Sequence, residues 1–200
     1  MAGSPRVGVL ALQGDVREHV RVLEHLGAVA VPVRRPEELA SVSGLVLPGG
    51  ESTVIDKLAR SFGLHEAIRQ AIAAGLPTYG TCAGLILLAD RIVDAAAGQQ
   101  SFGGLDVTVR RNAFGSQLDS FETELAISGW KAPPVRAVFI RAPIVVEAGE
   151  AVQILATIED GRIVAVRQGS VLGTSFHPEV TGDVRFHRLL LDLIEERAAA

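Results

Sequence analysis

In Leu76-Pro-Thr-Tyr-Gly-Thr-Cys-Ala-Gly84 the only cysteine of a 200-residue chain stands between two glycines. A short apolar run ending at Tyr79 reads as a buried strand, and a strongly apolar helical pattern begins after the cysteine and runs from Ala83 to about Ala96. Cys82 therefore falls on a strand-turn-helix corner. Gly80 and Gly84 lack a Cβ, so the backbone there can bend sharply and the two elements can approach closely, as where a nucleophile is raised out of a parallel sheet. A helix N-terminus beside the sulfur supplies free N–H groups and partial positive charge, which favour a thiolate and can hold an oxyanion. Taken alone, the residue reads equally as a buried structural cysteine.

Working outward, the same alternation recurs. Arg6 to Leu12, Ala28 to Val33 and Gly44 to Pro48 read as buried strands; Val16, Val20, Leu23 and Leu26 recur at helical spacing, and helices are expected near Thr53 to Ser61 and Leu64 to Ala74. Strand-helix alternation implies parallel pairing, an α/β layered domain and a site at the carboxyl ends of the strands. From Gly103 to Ala165 the pattern changes to short β-branched runs: Leu105 to Val109, Phe121 to Ile127, Val135 to Ile140, Val152 to Ile158 and Ile163 to Val166. Glu159-Asp-Gly161 reads as a hairpin turn. The fold class expected is α/β, a mixed, mostly parallel sheet with helices on both faces and added antiparallel strands. Val171 to Phe176 is the last buried strand, and Val184, His187, Leu191 and Ile194 mark one face of a closing helix. With no repeat, linker or low-complexity segment, residues 1–200 are read as a single domain.

Composition narrows the function. Apolar residues make up 48% and charged residues 21%, too apolar for disorder. A formal charge of −4, with no basic run beyond Arg34-Arg35 and Arg110-Arg111, argues against a nucleic-acid partner. One cysteine cannot close an internal disulfide, which fits a cytoplasmic location, and no apolar run is long enough for a membrane span.

A nucleophilic cysteine needs a base, and the base needs an orienting group. His177-Pro-Glu179 supplies both. The proline disfavours helical geometry at His177, so the tripeptide is expected to be extended, with the imidazole and the Glu179 carboxylate on one face. The topology puts His177 and Cys82 at one edge of a parallel sheet despite 95 intervening residues. Pro48-Gly-Gly-Glu-Ser52 ends another strand in paired glycines, and N–H groups of Gly49 and Gly50 can join that of Ala83 as an oxyanion hole. The loop lacks the Gly-Lys-Ser/Thr of a phosphate loop. No histidine cluster accompanies Cys82, so no metal is expected. The remaining histidines are assigned to helix faces.

Leu12-Gln-Gly14, Pro48-Gly-Gly-Glu-Ser-Thr53, Gly80-Thr-Cys-Ala-Gly84, Arg111-Asn-Ala-Phe-Gly115, Asp119-Ser-Phe-Glu122, Phe139-Ile-Arg-Ala-Pro143 and Ser175-Phe-His-Pro-Glu179 occur in that order along almost the whole chain. Together they resemble the class I (triad) glutamine amidotransferases and, within them, the glutaminase subunits of pyridoxal 5'-phosphate synthase. The resemblance implies a flavodoxin-like core and a Cys82-His177-Glu179 triad that hydrolyses L-glutamine through a thioester. It also implies a glutamine pocket lined by Gly50, Glu51, Ser52, Arg111, Ile140 and Arg141. It implies no cofactor on this chain and a hetero-oligomeric complex with a (β/α)8-barrel synthase that receives the ammonia. For His19, in Arg17-Glu-His19 of the first helix, it implies a surface for a partner. Free glutamine carries a carboxylate and an ammonium, for which a guanidinium and an acid are suitable partners. The sequence departs from the family at Phe114-Gly-Ser-Gln117, where Ser116 replaces the usual arginine. A stand-alone hydrolase of γ-glutamyl amides is the alternative; partner dependence separates the two.

Overall fold

Strand and helix alternate through the first half of the chain, as the periodicity requires. The structure, a computed structural model, describes residues 3–113 and 120–199. Strands β1 (Arg6–Leu10), β2 (Val29–Val33), β3 (Gly44–Leu47) and β4 (Thr78–Thr81) are joined by helices α1 (Val16–His25), α2 (Pro36–Leu39), α3 (Ser52–Ser61) and α4 (Leu64–Ala73). Helix α5 (Ala83–Leu88) follows β4. The second half adds β5 (Ala89–Val93), β6 (Leu105–Arg110), β7 (Ser120–Leu125), β8 (Val135–Ile140), β9 (Ile144–Ala148), β10 (Gln153–Thr157), β11 (Ile163–Gln168) and β12 (Val171–Thr174). Helices α6 (Pro178–Thr181) and α7 (Arg185–Ala199) complete it.

The main sheet runs β2-β1-β3-β4-β12-β11-β9-β6-β5, with β10 paired to β11, and β7-β8 forms a separate ribbon. The first five strands are parallel throughout. Strands β11 and β9 are antiparallel to their neighbours, and β5 is parallel to β6. Alternation along each strand divides the core between the two faces. Leu45 and Leu47 of β3 pack with α3, α4 and α5 through Ile55, Leu64, Ile68 and Leu85. Val46 between them packs on the other side with Leu23 of α1, Phe186 and Leu190 of α7 and Phe139 of the ribbon.

Two elements differ from expectation. The helix after Cys82 stops at Leu88 rather than near Ala96, and Ala89–Val93 is an edge strand on β6. Every residue of α5 is buried. An unbroken apolar run carries no periodicity to mark where a helix ends. The β-branched pair Ile92-Val93 and the link from Arg91 Nε to Thr108 Oγ1, 2.8 Å, belong to the strand instead. Strand β9 was absent from the expected set, although Ile144-Val-Val146 between Pro143 and Gly149 is a β-branched run; it inserts between β11 and β6. The hairpin at Glu159-Asp-Gly161 is present, closed by the Gly161 N–H on the Ile158 carbonyl at 2.9 Å. The segment containing Ser116, with Asp119, lies outside the described residues.

Candidate active site

The carboxyl ends of β1, β3, β4 and β12 deliver the residues singled out in the sequence. Strands β4 and β12 are parallel neighbours with Thr81 opposite Thr174, so the chain after each emerges side by side. This is how Cys82 and His177 meet. Strand β4 runs two residues past Tyr79, and Cys82 caps α5 directly, with φ 48° and ψ −101°. A non-glycine residue at positive φ costs on the order of 1–3 kcal/mol and persists only where its surroundings fix it. Here the Cys82 N–H donates to the Thr174 carbonyl at 2.8 Å and the Cys82 carbonyl accepts from Ile86 at 3.2 Å. The glycines are required sterically: a Cβ on Gly84 would stand 2.1 Å from the Leu47 carbonyl oxygen, and one on Gly80 2.5 Å from Gly84. Cys82 is 8% exposed, and its sulfur lies 4.0 Å from the Ile140 carbonyl oxygen.

His177 Nδ1 is 2.7 Å from Glu179 Oε1, and both residues are buried. The tripeptide is not extended. His177 (φ −113°, ψ 83°) precedes α6, whose first residue is Pro178, and Glu179 folds back from the first helical turn onto the imidazole. Proline's fixed φ and missing N–H suit that first position, which explains why the pair survives the change of conformation. Burial works against the charged imidazole. Hydrogen bonds with Cys82 and Glu179, together with their charges, outweigh it, and the His177 pKa is pushed up to about 10. Burial also raises Glu179, against the pull of His177. The result is an imidazolium oriented by the carboxylate, with Cys82 contributing to its charge, and such a group can donate a proton to a leaving amine. Asp15 Oδ2 lies 3.6 Å from His177 Nδ1, so Asp15, His177 and Glu179 gather three ligand-type atoms. With Nδ1 engaged to Glu179 in a protonated ring, that nitrogen has no free lone pair, and the cluster suits acid-base work better than a cation.

Gly49 packs flat on the His177 ring, since a Cβ there would stand 2.3 Å from His177 Cε1. Its carbonyl accepts from the Asp15 N–H at 3.1 Å, which turns the Gly50 N–H of the same planar peptide to the opposite side. Ala83 opens α5, so its N–H has no intrahelical acceptor.

Glu51, Ser52 and Arg111 form one polar network. Glu51 caps α3 by accepting from Thr53 and Val54 at 3.1 and 2.9 Å. Its burial is outweighed by those bonds, and its pKa is lowered. Arg111 donates to Glu51 Oε1 at 3.2 Å and to Gln99 Oε1 at 2.9 Å, and Gln99 donates on to Ser52 Oγ at 3.0 Å. Gln13 holds the loop by accepting the Glu51 N–H at 2.7 Å. Gln99 had no sequence signal, standing in an irregular loop; Gln13 stood in a recognised motif without an assigned role. Ile140 is brought to the sulfur by its carbonyl rather than to this network. Arg141 follows on the turn, exposed, at φ 44°.

The assignment of His19 to a partner surface is overturned. His19 and His187 are fully buried and 2.8 Å apart, on facing helices α1 and α7. His65 is also buried, 3.8 Å from Asp56.

Residues 9–196 match the SNO glutamine amidotransferase family. A protein of Clavibacter sepedonicus named pyridoxal 5'-phosphate synthase subunit PdxT is 67% identical over 192 residues, covering 96% of this chain and 92% of the relative. One of the same name from Streptomyces coelicolor is 58% identical, covering 100% and 98%. A crystal structure described as a glutamine amidotransferase superposes with a TM-score of 0.88 at 47% identity, over 94% of this chain and 98% of that one. PurLQS from Thermotoga maritima, at 18% identity and a TM-score of 0.70, shares the fold.

Proposed function

The chain belongs to the SNO glutamine amidotransferase family, and from that premise we propose that it is the glutaminase subunit of a pyridoxal 5'-phosphate synthase. The reading is supported most by one observation: a buried imidazole 2.7 Å from a buried carboxylate, on the strand end next to the one that carries the only cysteine. Cys82 attacks the side-chain carbonyl of L-glutamine. The tetrahedral oxyanion is held by the N–H of Ala83 and by the Gly49-Gly50 loop. His177, oriented by Glu179, gives its proton to the departing nitrogen, leaving a thioester and ammonia. The neutral imidazole then takes a proton from water, which hydrolyses the thioester to glutamate.

Glu51, Ser52, Gly50 and Arg111 bind the amino-acid end of glutamine, with Ile140 and Arg141 closing the side nearer the sulfur. Residues 1–200 act as one amidotransferase domain without a cofactor. Ammonia is largely protonated in neutral water and diffuses away, so the acceptor is a synthase subunit held against the site. We assign that subunit a (β/α)8 barrel on the family resemblance. Among the described residues no helix is long and apolar enough to cross a membrane, and a cytoplasmic complex is the setting proposed.

The test is ammonia release from glutamine, measured with and without the barrel synthase from the same cell. Turnover that rises on adding the synthase is expected. Full turnover by the isolated chain would favour the stand-alone hydrolase, and no turnover with the synthase present would refute both.

A further inference from the structure

The catalytic pair has a second layer of buried histidine behind it. His19 Nε2 lies 3.2 Å from Thr81 Oγ1 and 3.6 Å from Glu179 Oε1, and His19 Nδ1 lies 2.8 Å from His187 Nε2. None of the three histidine and glutamate side chains has exposed surface. Thr81 is the residue before the nucleophile, and Glu179 orients the base, so His19 touches the supports of both.

A neutral imidazole has one N–H and one lone pair, and the surroundings choose between two arrangements. If His19 carries its proton on Nδ1, it donates to His187. His187 must then carry its proton on Nδ1, an atom with no partner among the described residues. A buried N–H would be orphaned and a lone pair would face the Glu179 carboxylate. If His19 carries its proton on Nε2, that N–H points at Thr81 Oγ1 and the carboxylate, and Nδ1 accepts from His187. The orphan is then only a lone pair. An unpaired N–H is the costlier defect, and a carboxylate attracts N–H and repels a lone pair, so both criteria select the second arrangement. At 3.6 Å the contact with Glu179 is an ion-dipole attraction rather than a hydrogen bond.

We propose that His19 is a positioning residue of the active site, its Nε2–H steadying the Glu179 carboxylate and its tautomer fixed by His187. The proposal rests on the triad reading above.

The groups facing this pair are Glu179 of α6, Asp183 before α7, His177, and Tyr79 and Thr81 of β4. Tyr79 stacks edge-on against His187 with its hydroxyl 3.0 Å from Thr174 Oγ1. Burial drives both rings neutral, taking His187 down to about 4 against the opposing charge of Asp183. His19 is lowered by burial and then by His187 and His177. The carboxylate thus meets a dipole from behind and a cation in front.

The experiment has two readouts on the full chain. Nitrogen-15 NMR of labelled histidine rings at neutral pH should show His19 and His187 as neutral Nε2–H tautomers. An Nδ1–H tautomer or an imidazolium at His19 would overturn the proposal without any variant being made. Next, the rate of Cys82 alkylation by iodoacetamide is followed against pH in wild type, His19→Leu and His19→Gln. Losing a donor makes Glu179 bind its proton more readily. The leucine variant should therefore move the acidic limb up by about one pH unit, slowing alkylation about tenfold at pH values on that limb. Glutamine, which places an N–H near Nε2, should restore most of the rate. Coincident profiles for the wild type and a folded leucine variant would overturn the proposal. Neither readout needs glutamine turnover, so failure of the triad reading appears separately, as wild-type complex that releases no ammonia.

Discussion

His177 and the His19-His187 pair are buried within one layer of the molecule, yet they hold opposite charge states. Despite its burial, His177 is raised to about 10 by its interactions with Cys82 and with the carboxylate of Glu179. His187 falls to about 4 because burial is opposed only by the charge of Asp183. Burial alone always favours the neutral imidazole; what reverses it is an anion at hydrogen-bond distance. The comparison separates a charged imidazole from neutral ones by its partners.

The most damaging way to break the charged end is to remove the sulfur. Cys82→Ala should lower glutamine hydrolysis by the synthase complex on the order of a million-fold, the scale of nucleophile loss in a triad hydrolase, while leaving complex formation on a sizing column intact. Glu179→Gln keeps the shape but removes the anion. A loss of about 10^3- to 10^4-fold in kcat is expected, as when an orienting carboxylate becomes an amide. If Glu179→Gln retained near-wild-type kcat, the orienting role would be lost.

Much of this arrangement was legible in the sequence, and the residues show why. Cys82 and His177 could be paired because strand ends in a parallel sheet are fixed by topology, and β4 and β12 are indeed neighbours. Paired glycines announced tight corners, and Gly80, Gly84 and Gly49 each abut an atom where a Cβ would not fit. The conformation of His177-Pro-Glu179 was misread because proline forbids helix before itself but suits the first helical position. The end of α5 was invisible because an all-buried helix and a buried strand share one composition. Gln99 and the burial of His19 depend on long-range packing, which spacing along the chain does not encode.

Stability against pH sharpens the comparison, because the two ends have opposite signs. The raised pKa of His177 contributes stability that is fully present below the unfolded value of about 6.5 and is lost as pH rises toward 10, up to roughly 5 kcal/mol. The lowered pKa of His187 works the other way. Its unfolded form takes up protons first, so stability present above pH 6.5 declines as pH falls toward 4, by roughly 3 kcal/mol. Urea unfolding from pH 4 to 10 should show both limbs. Glu179→Gln should make the alkaline limb shallower, with Cys82 still raising His177, and His187→Gln the acidic one, with His19 still contributing.

A milder break lies at the binding network. Arg111→Ala removes bonds to Glu51 and Gln99 and, on the proposed reading, to the glutamine carboxylate. KM should rise about 10- to 100-fold, the worth of one charged hydrogen bond, with a smaller change in kcat. Gln99→Ala, which loosens Arg111 and Ser52 without removing the guanidinium, should raise KM only a few-fold.

The central claim is that Cys82 is a nucleophile made ready by His177, and a covalent trap tests it most directly. The chain, bound to its synthase, is mixed with a glutamine analogue whose side-chain amide is replaced by a chloromethyl ketone, and the modified residue is located by mass spectrometry. The account predicts one adduct, on Cys82, forming far more slowly in His177→Asn. An adduct elsewhere, or one on Cys82 that forms as fast without the imidazole, would contradict it.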